Sequence, residues 1–165
     1  MADVPVVCFV AGKSGTGKTT LLEKVIREMV GRGYEVGTIK SDTHGFEMDQ
    51  PGKDTWRFAE AGAKATAIIG PGKYALIQKT QEKKDLDTVA SFIQGVDIIL
   101  VEGYKGADKP KIEVVRREKG TEIVSSRENL IAVVTDVEGL SIEVPVLNIN
   151  DVEGVADLLI KKYLS

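Results

Sequence analysis

Residues 4–10, Val-Pro-Val-Val-Cys-Phe-Val, run without a polar break. That is the pattern of a strand buried on both faces of a parallel sheet, and it predicts a central position for this strand. A glycine-rich turn, Gly12–Gly17, follows at once. Leu21, Leu22, Val25, Ile26, Met29 and Val30 then recur at helical spacing, with Gly31 and Gly33 as a stop. A second strand over 35–40 closes a strand–helix–strand unit, whose crossover is right-handed and whose strands are parallel.

The segment Ser41–Gly52 is polar and turn-prone with no period, long enough for a functional loop. Helical spacing resumes over 53–63 through Trp56, Ala59 and Ala63. Residues 65–69 and 74–77 flank Gly70-Pro71-Gly72-Lys73, where Pro second and Gly third predict a type II turn and an antiparallel hairpin. A helix over 85–94, strands over 97–101, 112–115, 130–135 and 144–149, and a final helix over 152–163 complete the pattern. The chain shows no internal repeat and no linker-like break, so 1–165 is expected to be a single domain.

Composition narrows the function classes. With 42% hydrophobic and 28% charged residues the chain is far from the profile of a disordered protein. A net charge of -3 leaves no global positive field to hold a nucleic-acid backbone or an anionic membrane, and no apolar run approaches the roughly 20 residues of a membrane span. Neither nucleic acid nor membrane is expected as a partner. The lone Cys8 and lone His44 exclude an internal disulfide and a Cys/His zinc cage, which fits a reducing cytoplasm.

The chemistry concentrates in Gly12-Lys13-Ser14-Gly15-Thr16-Gly17-Lys18-Thr19-Thr20, which matches G-x-x-x-x-G-K-[ST] between a strand and a helix. Glycines let backbone N–H groups turn inward around a phosphate, the helix adds its positive end and Lys18 a full charge. Thr19 is the expected ligand of a Mg2+ ion bridging the terminal phosphates. The fold class that follows is α/β: a phosphate-loop NTPase fold with a mainly parallel, mixed central sheet flanked by helices, plus the hairpin.

Five further features bear on this site. Lys13, directly after the first glycine, looks like the lysine that deviant phosphate loops extend across a dimer interface; the alternative is a solvated loop lysine. Glu102 ends an apolar strand at the sheet edge where ligands of open α/β folds bind, as a Walker B carboxylate does, making it a metal and catalytic candidate. Lys40 and Asp42, with Thr43 and His44, open the long loop where such folds sense a terminal phosphate; Asp42 is equally a turn residue. The stretch 105–119 carries six basic residues against three acidic ones, which suits an anionic second ligand, while its alternation Lys111–Arg116 predicts a strand with one wet face. Asp136, at the end of another strand, stands where GTPases place the carboxylate that reads guanine, or in an ordinary turn.

Together these strings resemble the molybdopterin-guanine dinucleotide biosynthesis protein B family. The likeness is carried by residues 10–22, by Thr38-Ile39-Lys40 leading to His44–Asp49 and Pro51–Thr55, by Leu100–Lys105 with Pro110–Val114, and by Val133–Asp136. It implies a dimeric, GTP- and Mg2+-binding adapter with weak hydrolysis, serving the guanylyltransferase that joins GMP to molybdopterin; molybdopterin itself is a candidate ligand. It carries Gly12, Gly17, Lys18, Thr19 and Glu102 as site residues, and Lys40, Asp54 and Lys105 as members of matching strings. The family often pairs two histidines after the second strand, whereas Asp42 and Thr43 here precede a single one. The rival reading is a small-molecule kinase using ATP, with Lys40 and Asp42 at an acceptor and Arg116 or Arg117 over the transferring phosphoryl group.

Overall fold

The computed structural model describes residues 3–165. The chain divides into two compact units: one holds the residues up to Ser41 and those from Leu86 onward, and the other is the continuous segment Asp42–Asp85.

The first unit is built on six strands: β1 (Val6–Val10), β2 (Val36–Lys40), β5 (Ile98–Glu102), β6 (Lys111–Val115), β7 (Leu130–Thr135) and β8 (Val146–Asn148). They lie in the order β2-β5-β1-β6-β7-β8 and every pairing is parallel. β1 is thus interior, as its unbroken apolar run predicts. The chain leaves it towards β2 and β5 on one side and returns to β6 on the other, so the loop after β1 sits at the switch point where open α/β sheets bind ligands.

Period-two alternation assigns the faces. Val7, Phe9, Ile98, Leu100, Ile112, Val114, Ala132 and Val134 form one core with Leu21, Leu22, Val25 and Met29 of α1 (Lys18–Gly31) and Val155, Ala156 and Leu159 of α4 (Val152–Tyr163). Cys8, Val10, Ile99 and Val101 point the other way, onto Leu86 and Ala90 of α3 (Leu86–Ser91). A third cluster, Val115, Leu130 and Val133, lies under Ile123, Val137 and Leu140. Burial pushes the Cys8 thiol up to about 11.

The expected wet face of β6 is absent: all five of its residues are buried. Two loops supply what water would have. The Lys111 ammonium donates to the carbonyls of Ala107 and Lys109, and the Glu113 carboxylate accepts the N–H groups of Val124 and Ser125 at 2.8 and 2.9 Å.

The second unit contains α2 (Asp54–Glu60) and the antiparallel hairpin of β3 (Ala65–Ile69) and β4 (Tyr74–Gln78). The hairpin is as expected but its turn is not type II. Gly72 lacks the positive φ that type II demands at its third residue, and Gly70 N–H donates to the Lys73 carbonyl at 2.8 Å. No residue of this unit is buried.

Candidate functional site

The phosphate loop leaves the end of β1 and enters α1. Gly17 caps the helix with φ 87° and Gly15 has φ 71°, backbone states that a side chain would strain. The α1 cap carries no side-chain hydrogen bond and its first turn no acidic residue, so the positive helix end is left for an external anion. Ser14 and Thr20 are exposed, and Thr16 is buried with its hydroxyl lacking a partner among the described residues. Lys13 Nζ lies 3.6 Å from the point a side-chain carbon on Gly120 would occupy.

Two neighbouring strands bring the remaining groups to this loop. The Thr19 hydroxyl donates to Glu102 Oε1 at 2.7 Å, joining the start of α1 to the end of β5. Glu102 Oε2 lies 3.5 Å from Lys40 Nζ at the end of β2, and the Glu102 side chain is only 14% exposed. The parallel register that sets Lys40 opposite Glu102 produces this pair. Beyond Glu102, Gly103 N–H donates to the Phe9 carbonyl and Tyr104 adopts φ 67°, a strained state for a residue with a bulky side chain. The tight turn that results carries Lys105 back, so that its ammonium donates to the Gly12 carbonyl at 3.1 Å.

Lys18 therefore lies in the combined field of the Glu102 carboxylate and the Lys105 and Lys40 ammonium groups. Partial burial holds the Lys18 ammonium below its usual range; Glu102 opposes that shift, and Lys105 and Lys40 add to it. A cluster with more ammonium groups than carboxylates, fixed at a helix N-terminus, is an anion site lacking part of its negative charge. The Thr19 and Glu102 oxygens are hard donors. Their own hydrogen bond sets them 2.7 Å apart, side by side at the start of α1, where both could face one hard cation. No cluster of three or more His, Cys, Asp or Glu able to hold a metal occurs among the described residues. The pair suits an ion whose other ligands are water and phosphate.

The other expected residues are placed differently. Asp42 belongs to the second unit, where Oδ1 accepts the N–H of His44 at 2.8 Å, the turn use that sequence had left open. Asp136 Oδ1 accepts the Arg117 N–H at 2.8 Å, and Oδ2 lies 3.9 Å from Arg116 Nε. That backbone donor, with the Arg116 and Arg117 guanidinium groups, holds the Asp136 carboxyl below the usual range. It lines a recess with Val137, Asn148 and Asn150, apart from the cleft beside the phosphate loop. The Lys105–Gly12 contact and the use of Glu113 have no local signature in the sequence. Only the local excess of basic residues over 105–119 pointed there.

With this geometry in view, the chain can be compared with known proteins. Residues 6–136 match the profile of a family described as MobB: Molybdopterin guanine dinucleotide synthesis protein B. A Molybdopterin-guanine dinucleotide biosynthesis adapter protein of Escherichia coli (strain K12) is 40% identical over 165 aligned residues, covering 96% of this chain and 93% of that protein. A protein of the same name from Haemophilus influenzae is 36% identical over 152 residues, covering 91% and 85%. The crystal structure of a MobB protein homolog from Bacillus stearothermophilus superposes with a TM-score of 0.74 at 28% identity, over 96% of this chain and 97% of that one. Profile, relatives and fold agree along nearly the full length, and this chain belongs to the MobB family.

Proposed function

We propose that this protein is a GTP-binding adapter in the biosynthesis of molybdopterin guanine dinucleotide, working in the cytoplasm with the guanylyltransferase that forms that dinucleotide. The observation that carries the nucleotide part is the Thr19–Glu102 hydrogen bond set at the mouth of the Gly12–Thr19 loop, with Lys18, Lys40 and Lys105 around it. Curated relatives named as adapter proteins support the rest.

In this reading the inward N–H groups of Gly15–Lys18 and the Lys18 ammonium hold the β- and γ-phosphates. Thr19 and Glu102 hold Mg2+, which would neutralise phosphate charge. Lys105 braces Gly12 through its carbonyl, and Lys40 orients Glu102 through the opposite carboxylate oxygen. No arginine finger or water-positioning glutamine stands in the described site, so hydrolysis by the isolated chain is slow. Since β2 runs from Lys40 through Ser41 directly into the second unit, a nucleotide that re-pairs Lys40 acts at the root of the Asp42–Gly52 loop. Nucleotide-dependent protection of that loop, with Asp42 in it, is part of the proposal.

We also propose a homodimer. In the hairpin, Ile69, Tyr74 and Leu76 share a face by register and are 87%, 75% and 60% exposed, an apolar surface that suits a second copy. The test of the whole reading is calorimetric titration with GTP and ATP in Mg2+, repeated with the guanylyltransferase and with molybdopterin. GTP preference, and tighter partner binding with GTP than without, is the expected result. A preference for ATP with turnover stimulated by a small acceptor would replace the adapter with a kinase.

A further inference from the structure

Between β6 and β7 the residues 116–125 form a strap alongside the phosphate loop. Carboxylates on two strands pin its ends: Asp136 takes the Arg117 N–H, and the fully buried Glu113 takes those of Val124 and Ser125. An Arg116–Gly120 bridge tightens the first end. A loop fixed at both ends by charge-assisted hydrogen bonds is held in one place.

Between strap and phosphate loop lies a cleft of 310 Å³, the space of about ten waters. It opens on the β6 side of β1, whereas Lys40 and Glu102 approach the loop from the ends of β2 and β5 on the other side. Its lining includes none of Lys18, Thr19, Lys40, Glu102 and Lys105. The cleft is therefore a different place from the one a triphosphate and its metal would take.

Polar atoms without partners collect on this lining. Thr16 is 3% exposed, and its hydroxyl has no hydrogen-bond partner among the described residues. Arg116 Nε is buried and also unpartnered, since Asp136 Oδ2 at 3.9 Å is beyond hydrogen-bond reach. Buried polar atoms left unmatched mark a place where a ligand atom or a water is needed.

Charge points the same way. Lys13 stands on the loop wall and Lys119 on the strap wall, and neither has an ion pair among the described residues. Lys119 Nζ lies 3.5 Å from where a side-chain carbon on Gly15 would be, and Lys13 Nζ 3.6 Å from the same point on Gly120, so each ammonium reaches the opposite wall. Against them stands one carboxylate on the lining, Glu122, which is exposed to water. Two ammonium groups, a guanidinium and a hydroxyl, drawn from two separate segments, offer donors in several directions. A planar carboxylate is met best in its own plane, whereas a tetrahedral phosphate oxyanion accepts from all sides and carries up to two charges. We propose that this cleft is a second anion site, which takes the phosphate group of a ligand other than the nucleotide in Gly12–Thr19, as a phosphomonoester or as free phosphate. The site stands on its own lining and does not depend on how the phosphate loop is filled.

The test is calorimetric titration of the full chain, held in saturating Mg-GTP so that the phosphate loop is filled, with inorganic phosphate and with phenyl phosphate. One further site is expected, at which the two probes compete. Tighter binding of phenyl phosphate identifies an esterified ligand, and equal or tighter binding of inorganic phosphate identifies the free ion. Lys119→Met removes the charge and keeps the stem; it is expected to weaken the probe about fivefold or more and to leave Mg-GTP within about twofold. Glu122→Gln is expected to tighten the probe by about twofold. Absence of a second site, a probe affinity that neither substitution changes, or equal loss of probe and Mg-GTP in Lys119→Met would overturn the assignment. If the chain does not bind Mg-GTP, the nucleotide-binding reading fails by itself, and the probe affinity of Lys119→Met still decides for or against the cleft.

Discussion

In the first unit Val7, Phe9, Leu100 and Val134 have no exposed surface, whereas in the second Ile69 and Tyr74 show 87% and 75% of theirs to solvent. Both segments are rich in β-branched and apolar residues. They differ in what lies over them. The parallel sheet is covered by α1 and α4 on one face and by α3 and the strap on the other, so its side chains alternate into cores on both faces. The hairpin has only two strands, and an isolated two-stranded hairpin is at best marginal in water. One region is complete by itself and carries a charged, preformed site; the other presents apolar surface outward. A charged, preformed site in one unit and an uncovered apolar face in the other suit the adapter role that the family carries.

The two units separate most clearly at the phosphate loop. Lys18→Ala removes the only full charge inside the phosphate loop's own helix start. It should weaken Mg-GTP by about 100-fold, roughly 2.7 kcal/mol, without altering oligomeric state. Equal affinity in titrations of the two proteins would separate the site from its function. Next in size, Ile69→Asp with Leu76→Asp puts like charges on the hairpin's exposed face. Dimer affinity should fall about 30-fold or more, read as a halved molar mass in light scattering at micromolar protein. The melting temperature of nucleotide-bound protein measures the first unit and should hold.

A third test sharpens the packing half of the contrast. The folded state raises the Cys8 pKa from 9.0 to about 11, so its contribution is fully present below pH 9 and is lost as pH rises towards 11. Differential titration across that window corresponds to a loss on the order of 2 kcal/mol by pH 11. Denaturant melts at pH 8 and pH 11 should show that loss in the native protein and a smaller one in Cys8→Ala. Equal losses would mean that β1 is less enclosed than its neighbours indicate.

Much of the first unit was legible because its signals are local. The run at 4–10, the helical spacing after Gly17 and the carboxylate at the end of a strand each declare themselves within a few residues. Elements tied to distant partners were harder to read. Lys111 and Glu113 look like a wet face because nothing in the pattern Lys-Ile-Glu-Val-Val tells which loop folds back to satisfy them. The strap has no period of its own, being polar and turn-rich, and its place is set by Glu113 and Asp136. The helix expected over 85–94 ends at Ser91, where the side-chain hydroxyl donates to the Thr88 carbonyl and competes with the next helical turn. Asp136 stands at the strand end where a base reader was expected, yet one carboxylate oxygen is engaged by a backbone N–H nineteen residues away, a contact no short motif encodes.

Whether Thr19 and Glu102 form a metal–nucleotide site at the mouth of the phosphate loop is read from the Mg2+ dependence of GTP affinity in the native protein and in Thr19→Val. Such a site binds GTP at least tenfold more tightly with Mg2+ in the native protein and shows little Mg2+ dependence in the variant. Affinity independent of Mg2+ in the native protein, or an undiminished Mg2+ effect without the Thr19 hydroxyl, would contradict it.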